Sequence, residues 1–411
     1  MQLIAALTIF SVGILCTVIL RGEPFRALSS LRGRSASSGE ISPFAALSSA
    51  LCGTLGVGSI GAVTAALSQG GAGVLIWLWL GAIMGCSLKY AEVRITMAHK
   101  SGSLSGAMVA LHEKSPLLGC MYALLCLPVA LLGMGNLTQV QVLSDTLHAA
   151  SLPRPIIAFS VLVILTLLLS GGIRRIGRVS AVVLPAVGTV YIAICLYAIF
   201  LHRENLPLLL NDLLAEAHHP NPALFALGIA RGLFISEAGM GTAAFAHSRS
   251  GAPPRLQGAL GVCEVLFSTL LATLTALAVL LTGVPLQADA ALHAFRAILG
   301  SAGDVLLCLM ITFFALSTLP VWWFYGQQCV RFLSGKRIFS WVFTTAFLCI
   351  ACLGCIFSFE SAWRIADAAN LALTLPALLM LLLYRRELVA ILPNRAKKVI
   401  LKSNRKSSFY R

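Results

Sequence analysis

The sequence predicts an all-α protein that crosses a membrane about eleven times. Three observations carry this reading. There is more apolar surface than a soluble core can bury, there are eleven apolar runs of spanning length, and basic residues recur in every second connecting loop. Of 411 residues, 58% are hydrophobic and only 11% charged, against roughly 25% charged in a soluble domain. The mean hydropathy is +0.90. Hydrocarbon has to be the solvent for most of such a chain, which makes the lipid bilayer its first partner. The net charge of +15 sits in short loops and a C-terminal tail. There it reads as a topology signal, and no nucleic-acid partner is expected. The twelve cysteines are scattered through apolar runs and read as small core residues, with no metal framework.

The first run, 2–20, is followed by Arg21. A signal peptide carries its basic residues ahead of the apolar run, so this is read as an uncleaved helix starting outside. The other runs lie near 43–66, 72–97, 117–147, 155–171, 179–201, 221–247, 257–283, 303–332, 338–358 and 363–384. A span needs about 20 apolar residues. With the N-terminus outside, the cytoplasmic segments hold Arg21, Arg26, Arg32 and Arg34, then Lys100 and Lys114, then Arg174, Arg175 and Arg178. Arg249 and Arg255 follow, then Arg331, Lys336 and Arg337, and the tail with Arg395, Lys397, Lys398, Lys402, Arg405 and Lys406. The outer segments hold only Arg154, Arg203, Arg296 and Arg364. This asymmetry predicts a multi-pass protein of the plasma (inner) membrane with a cytoplasmic C-terminus. The tail can also touch anionic lipid.

Two runs are unlike the rest. One holds Gly53, Gly56 and Gly58, and the other reads Ser236-Glu237-Ala238-Gly239-Met240-Gly241. Glycine weakens a helix interior by about 1 kcal/mol relative to alanine. With the first helix set aside, these runs open two successive groups of five. The expected organisation is therefore an extra helix and basic loop (1–42), a first repeat (43–201), an outer loop (202–220), a second repeat (221–384) and a tail (385–411). Five is odd, so the two groups enter the membrane from opposite sides. An inverted repeat with interrupted helices at matching places points to a midplane binding site in a secondary transporter.

An interrupted helix frees amides that suit a carboxylate and carbonyls that suit a cation. Gly53, Gly56 and Gly58 either make such a break or let helices pack closely. Glu237 is costly at this depth, about 3 kcal/mol on insertion scales, and is either an ion or proton site or a tie for the amides of its own helix. Arg231, six residues earlier, is poorly placed to pair with it on a straight helix. Glu264 and Asp367 also fall within spans and suit internal polar contacts. Ser317 and Thr318 either bond back to the preceding turn or supply hard oxygens to sodium. Asn136 and Gln139 need partners in lipid, either between helices or in a pocket. Trp322 is a pocket wall or a packed core residue. No GxxxxGK[ST], HExxH or GxSxG pattern is present, so neither an ATP-driven motor nor an intramembrane protease is expected, and the chain is not read as an enzyme.

The same strings resemble those of the alanine/glycine:cation symporter family. GTLGVGSIGAV (Gly53–Val63) resembles its TVGTGNIAGV, and GGAGVLIWLW (Gly70–Trp79) its GGPGAIFWMW. KYAEV (Lys89–Val93) is identical, GGIRRIGRV (Gly171–Val179) resembles GGIKRIGKV, and RGLFISEAGMGTA (Arg231–Ala243) resembles RGxFSNEAGLGSA. GNLTQ (Gly135–Gln139), Ser317–Trp322, and Trp363 with Asp367 and Asn370 also fit. The resemblance implies a leucine-transporter-like 5+5 fold with one extra N-terminal helix. It also implies symport of a small neutral amino acid such as alanine or glycine, driven by sodium or protons, without other cofactors.

It places Thr54, Gly56, Gly58, Ser59, Gln139, Ser236, Gly239 and Trp322 around substrate. Gly53, Gly56, Ser317 and Thr318 fall around sodium, with Glu237 as a coupling or structural carboxylate. The chain departs from the family at Val57 (Thr), Ser59 and Ser236 (Asn), Ala45 (Gln) and Val321 (Gly). Side-chain contacts are thinner as a result, while the backbone design is kept. An uncoupled uniporter or channel would transport without accumulation, and a receptor or scaffold would bind without flux.

Overall fold

The computed structural model describes residues 2–32, 39–101, 104–287, 289–390 and 392. Arg34 and the basic tail from Arg395 onward lie outside the described residues, as does the side chain of Ser59. Among the described residues the structure is helical, with a single isolated bridge between Ser101 and Leu104.

The helices run in order as α1 (Gln2–Leu20), α2 (Glu23–Arg26), α3 (Pro43–Leu55), α4 (Val63–Gly70), α5 (Val74–Ala98) and α6 (Ala107–Lys114). Then come α7 (Pro116–Leu132), α8 (Leu137–Ala149), α9 (Arg154–Leu169), α10 (Gly172–Leu201), α11 (Leu206–His218), α12 (Pro222–Ile235) and α13 (Ala244–His247). The chain ends with α14 (Pro254–Thr282), α15 (Ala290–Leu299), α16 (Ser301–Leu333), α17 (Arg337–Gly354), α18 (Phe359–Leu383) and α19 (Arg385–Ala390).

Among the described residues, eight helical stretches are long and apolar enough to span a bilayer, and a ninth if α1 and the bent segment after it count as one. The bend of 60° falls at Arg21 and Gly22, both left-handed at φ 48° and 76°. α9 and α12 are shorter apolar helices. The run near 117–147, expected as one helix, is two: Gly133 ends α7 and Asn136 precedes α8. Pro128, four residues after Leu124 in α7, lacks the N–H that would close that turn. Cys349, Cys352 and Cys355 recur every third residue at the end of α17, and all twelve cysteines are free.

Two interrupted helices organise the interior. The first is α3, a short π turn at Gly58–Ala62, and α4. Ser42 caps α3 by accepting the Ala45 amide at 3.1 Å, with Pro43 at its first turn. The second is α12, an unwound stretch, and α13. α5 packs between α12 and α14, while α16 crosses α3, α7, α8 and α10. α1 lies against α5, α12, α18 and α19, so the extra helix shields the second interrupted helix. Large apolar side chains such as Phe159, Val182, Phe200 and Trp341 stay exposed on the outer faces, as a lipid-facing surface requires.

Candidate functional site

The first break turns its freed backbone groups toward α8 and α16. Gly56 ends α3, and Gln139 on α8 reaches into the gap. The Gln139 Oε1 accepts the Val57 amide at 2.9 Å, and its Nε2 donates to the Met134 carbonyl at 2.8 Å. A Cβ on Gly56 would lie 2.5 Å from that oxygen and 2.6 Å from that nitrogen. Glycine is therefore required here by close approach. On the other side, Thr318 Oγ1 donates to the Cys52 carbonyl at 2.5 Å and Trp322 Nε1 to the Gly53 carbonyl at 3.1 Å. These two lie four apart on one face of α16, which is why both reach the end of the same half-helix. Trp322 is fully buried, with its ring against Gly135 in the α7–α8 hinge. Ser317 is buried beside Thr318, and its hydroxyl bonds back to the Phe314 carbonyl. Gly58 faces Met134.

The second break holds its backbone in left-handed conformations at Glu237 (φ 50°), Gly239 (φ 87°) and Gly241 (φ 73°). Only glycine adopts this region without strain, so Glu237 is the strained member. Its Oε2 accepts from Thr242 at 2.7 Å, while Oε1 is buried without a partner. That one bond comes from a hydroxyl and not from the amides of its own helix, which the sequence offered as the alternative partners of Glu237. The Ser236 hydroxyl bonds back to the Gly232 and Leu233 carbonyls, both at 3.0 Å, and faces α5. Gly239 faces α1, α5 and α18 through Ile9, Leu88 and Leu378. The structure thus gathers Gly53, Gly56, Gln139, Thr318 and Trp322 at the first break. The Ser236 side chain and Gly239 turn to the opposite face of the second.

Arg231 pairs with Asp367 on α18 instead of Glu237, through two parallel bonds of 3.0 Å. Its guanidinium also lies 5.8 Å from the Trp363 ring, and the Trp363 ring packs on Gly61 just past the first break. A cavity of about 430 Å³ reaches Ile60 and Gly61 from the end of the bundle that carries Asp145, Asp289 and Phe359. At the opposite, basic end Arg249 links two segments. Arg249 reaches Glu40 at 3.0 Å and Gln328 at 2.6 Å. The Ile41 amide donates to the Arg249 carbonyl.

Glu264 makes the internal polar contacts expected of it, while its partners Lys89 and His247, and Glu92 nearby, were not singled out in the sequence. Glu264 is fully buried and accepts from Lys89 Nζ at 2.9 Å and from Thr54 Oγ1 at 2.5 Å. His247 Nε2 lies 3.5 Å from its other oxygen. This cluster ties the first half-helix to α5, α13 and α14, and it turns Thr54 away from the gap. Lys89 and Glu92 sit inside a 25-residue apolar span, and intramembrane charge alone would have flagged them. Asn370 is fully buried with neither amide atom paired, and the Tyr325 hydroxyl is likewise unpaired.

The model of the sodium:alanine symporter family matches residues 1–409. An uncharacterised transporter of Haemophilus influenzae is 30% identical over 379 residues, covering 85% of this chain and 83% of that one. The sodium/alanine symporter AgcS of Methanococcus maripaludis is 28% identical over 377 residues, covering 84% and 82%. Among solved structures, MhsT in complex with L-phenylalanine superposes with a TM-score of 0.63 at 14% identity, covering 86% of this chain and 90% of its own. The fold is therefore of the leucine-transporter type, and the chain is a multi-pass membrane protein that belongs to the sodium:alanine symporter family.

Proposed function

We propose that the chain is a secondary active transporter that couples inward movement of a sodium ion to uptake of a small neutral amino acid such as alanine or glycine. The observation that carries this is the first break. There, carbonyls at Cys52 and Gly53 meet a hydroxyl and an indole from α16, while the following turn presents amides beside Gln139. Carbonyls and hydroxyls are hard oxygen donors of the kind sodium takes. Amides opening a helical segment suit the substrate carboxylate. The ammonium end faces the second break, where Glu237 Oε1 is a buried, unpaired carboxylate oxygen. Because the Ser236 hydroxyl and Gly239 turn toward α5 and α1, that side of the pocket rests on backbone carbonyls and Glu237.

Residues 43–201 and 221–384 act as the two inverted repeats, with the N-terminus outside and the basic end in the cytoplasm. The cavity reaching Gly61 is the outer path, and the Arg249–Glu40 contact closes the inner one. The cycle alternates the two closures as one repeat rocks against the other.

Radiolabelled alanine and glycine uptake into proteoliposomes, with sodium and proton gradients imposed separately, tests this. Accumulation above the outside concentration under an inward sodium gradient is the expected result. Equilibration without accumulation under either gradient would make the chain a uniporter. Binding without flux would make it a receptor.

A further inference from the structure

We propose that Glu92 is a proton-binding site, loaded while the second break is packed over it and emptied when that break moves; this deepens the symport reading and rests on it. Glu92 lies on α5, six residues and about 9 Å from its C-terminal end. It is fully buried, and neither carboxyl oxygen has a hydrogen-bond partner. The amides of Gly239 and Gly241 lie beside it without completing a bond of good geometry.

Of the other charged or titratable groups on the surrounding elements, Arg94, two residues further along α5, has its guanidinium 5.9 Å from the Tyr90 ring with Nε unpaired, and the rest are engaged elsewhere or add like charge. One turn back on α5, Lys89 is committed to Glu264 of α14, which Thr54 and His247 of α13 also contact. The Tyr122 hydroxyl on α7 donates to the Met240 carbonyl at 2.7 Å. Glu237 at the break is a further carboxylate, half-satisfied by Thr242. Cys16 of α1 is a free, buried thiol nearby. Arg231 of α12 holds Asp367 of α18, Glu23 of α2 holds Arg255, and Glu216 of α11 accepts from Trp77. Glu113 of α6 and Glu387 of α19 both hold His99, with Lys114 of α6 beside Glu387. His112 of α6 packs on Phe332.

The interior around the second break thus holds three carboxylates, Glu92, Glu237 and Glu264, against one lysine and one histidine. Even a cationic His247 leaves one negative charge uncompensated in a dry interior. A carboxylate in that position neutralises instead of staying charged. A proton is the species that a fully buried carboxyl without a charged partner takes up. Of the three, Glu92 has no donor on either oxygen and is the one that carries it. The unwound Gly239–Gly241 stretch forms its cover. Movement of α13 away from α5 would open Glu92 toward the basic end and let the proton leave.

The test compares wild type with Glu92→Gln, which keeps the shape of the neutral acid. In reconstituted protein at neutral pH, the infrared spectrum should contain a protonated-carboxyl C=O band that is lost in the variant. Thermal unfolding should be unchanged, because glutamine replaces a group that was already neutral. The dependence of alanine uptake on the pH at the basic end, where the proton is released, should disappear. An unchanged infrared band in the variant would overturn the proposal. So would a large drop in melting temperature, which would make Glu92 a charged cap on the Gly239 and Gly241 amides. If neither protein transports an amino acid under any gradient, the symport reading fails, and the infrared and melting results still decide whether Glu92 binds a proton.

Discussion

Replacing Gly56 by alanine should disable the first break without unfolding the protein. The new Cβ would sit 2.5, 2.6 and 2.8 Å from the Oε1, Nε2 and Cδ of Gln139. The carboxamide would have to withdraw by roughly an ångström to reach ordinary contact distance. It is held on both sides, by the Val57 amide at 2.9 Å and the Met134 carbonyl at 2.8 Å, so withdrawal breaks both bonds in a buried setting. An unsatisfied buried donor or acceptor costs about 1–3 kcal/mol, which puts the two together at about 2–6 kcal/mol. If the gap closes around substrate as proposed, this falls on the bound state. At about 1.4 kcal/mol per tenfold, KM for alanine should then rise by at least about 30-fold. Gln139→Ala should give a loss of similar size, and the double variant should be little worse than either single one, because both act on one contact. Initial uptake rates in proteoliposomes over a range of alanine, with a melting curve for each variant, measure this. A wild-type KM for Gly56→Ala, or losses that multiply in the double variant, would refute the reasoning.

Thr318→Ala removes the hydroxyl at the Cys52 carbonyl and should raise the sodium concentration for half-maximal uptake about tenfold or more, while the rate at saturating sodium recovers; sodium titration of uptake checks it. Glu264→Gln strands Lys89 in a site with no exposure. Breaking one side of a buried pair costs about 3–5 kcal/mol, so the variant should melt well below wild type, and adding Lys89→Met should recover much of the loss. Arg231→Ala breaks the doubled bond to Asp367 and should make a cysteine placed at Gly61 react faster with a membrane-impermeant thiol reagent added outside. An unchanged labelling rate would mean that the pair does not limit access to Gly61 from the outer path.

The family and its architecture were legible because they rest on patterns that survive without coordinates. Composition demands lipid, basic loops alternate, and the GTLGVGSIGAV and RGLFISEAGMGTA strings place a break near the start of each repeat. The residues that touch the first break were legible for the same reason: Gly56, Gln139, Thr318 and Trp322 belong to strings that resemble the family. Ser236 and Thr54 were placed at substrate by the same strings, yet the structure spends their hydroxyls on their own helices, on the α5 side and on Glu264. A hydroxyl in a helix always has a carbonyl one turn back within reach, and only the packing of the neighbouring helix decides whether it turns outward. The hinge at Gly133–Asn136 was missed because apolar residues flank it on both sides and hydropathy does not register a bend.

By itself the sequence determined that this chain spans a membrane, which of its loops are basic, and where its helices weaken, since each depends on local composition. The tertiary structure alone decided which charges meet: Arg231 with Asp367, 136 residues apart, and Lys89 with Glu264, 175 apart. Inside a bilayer a charge takes whatever partner helix packing brings to its depth, and that partner cannot be read from its neighbours along the chain.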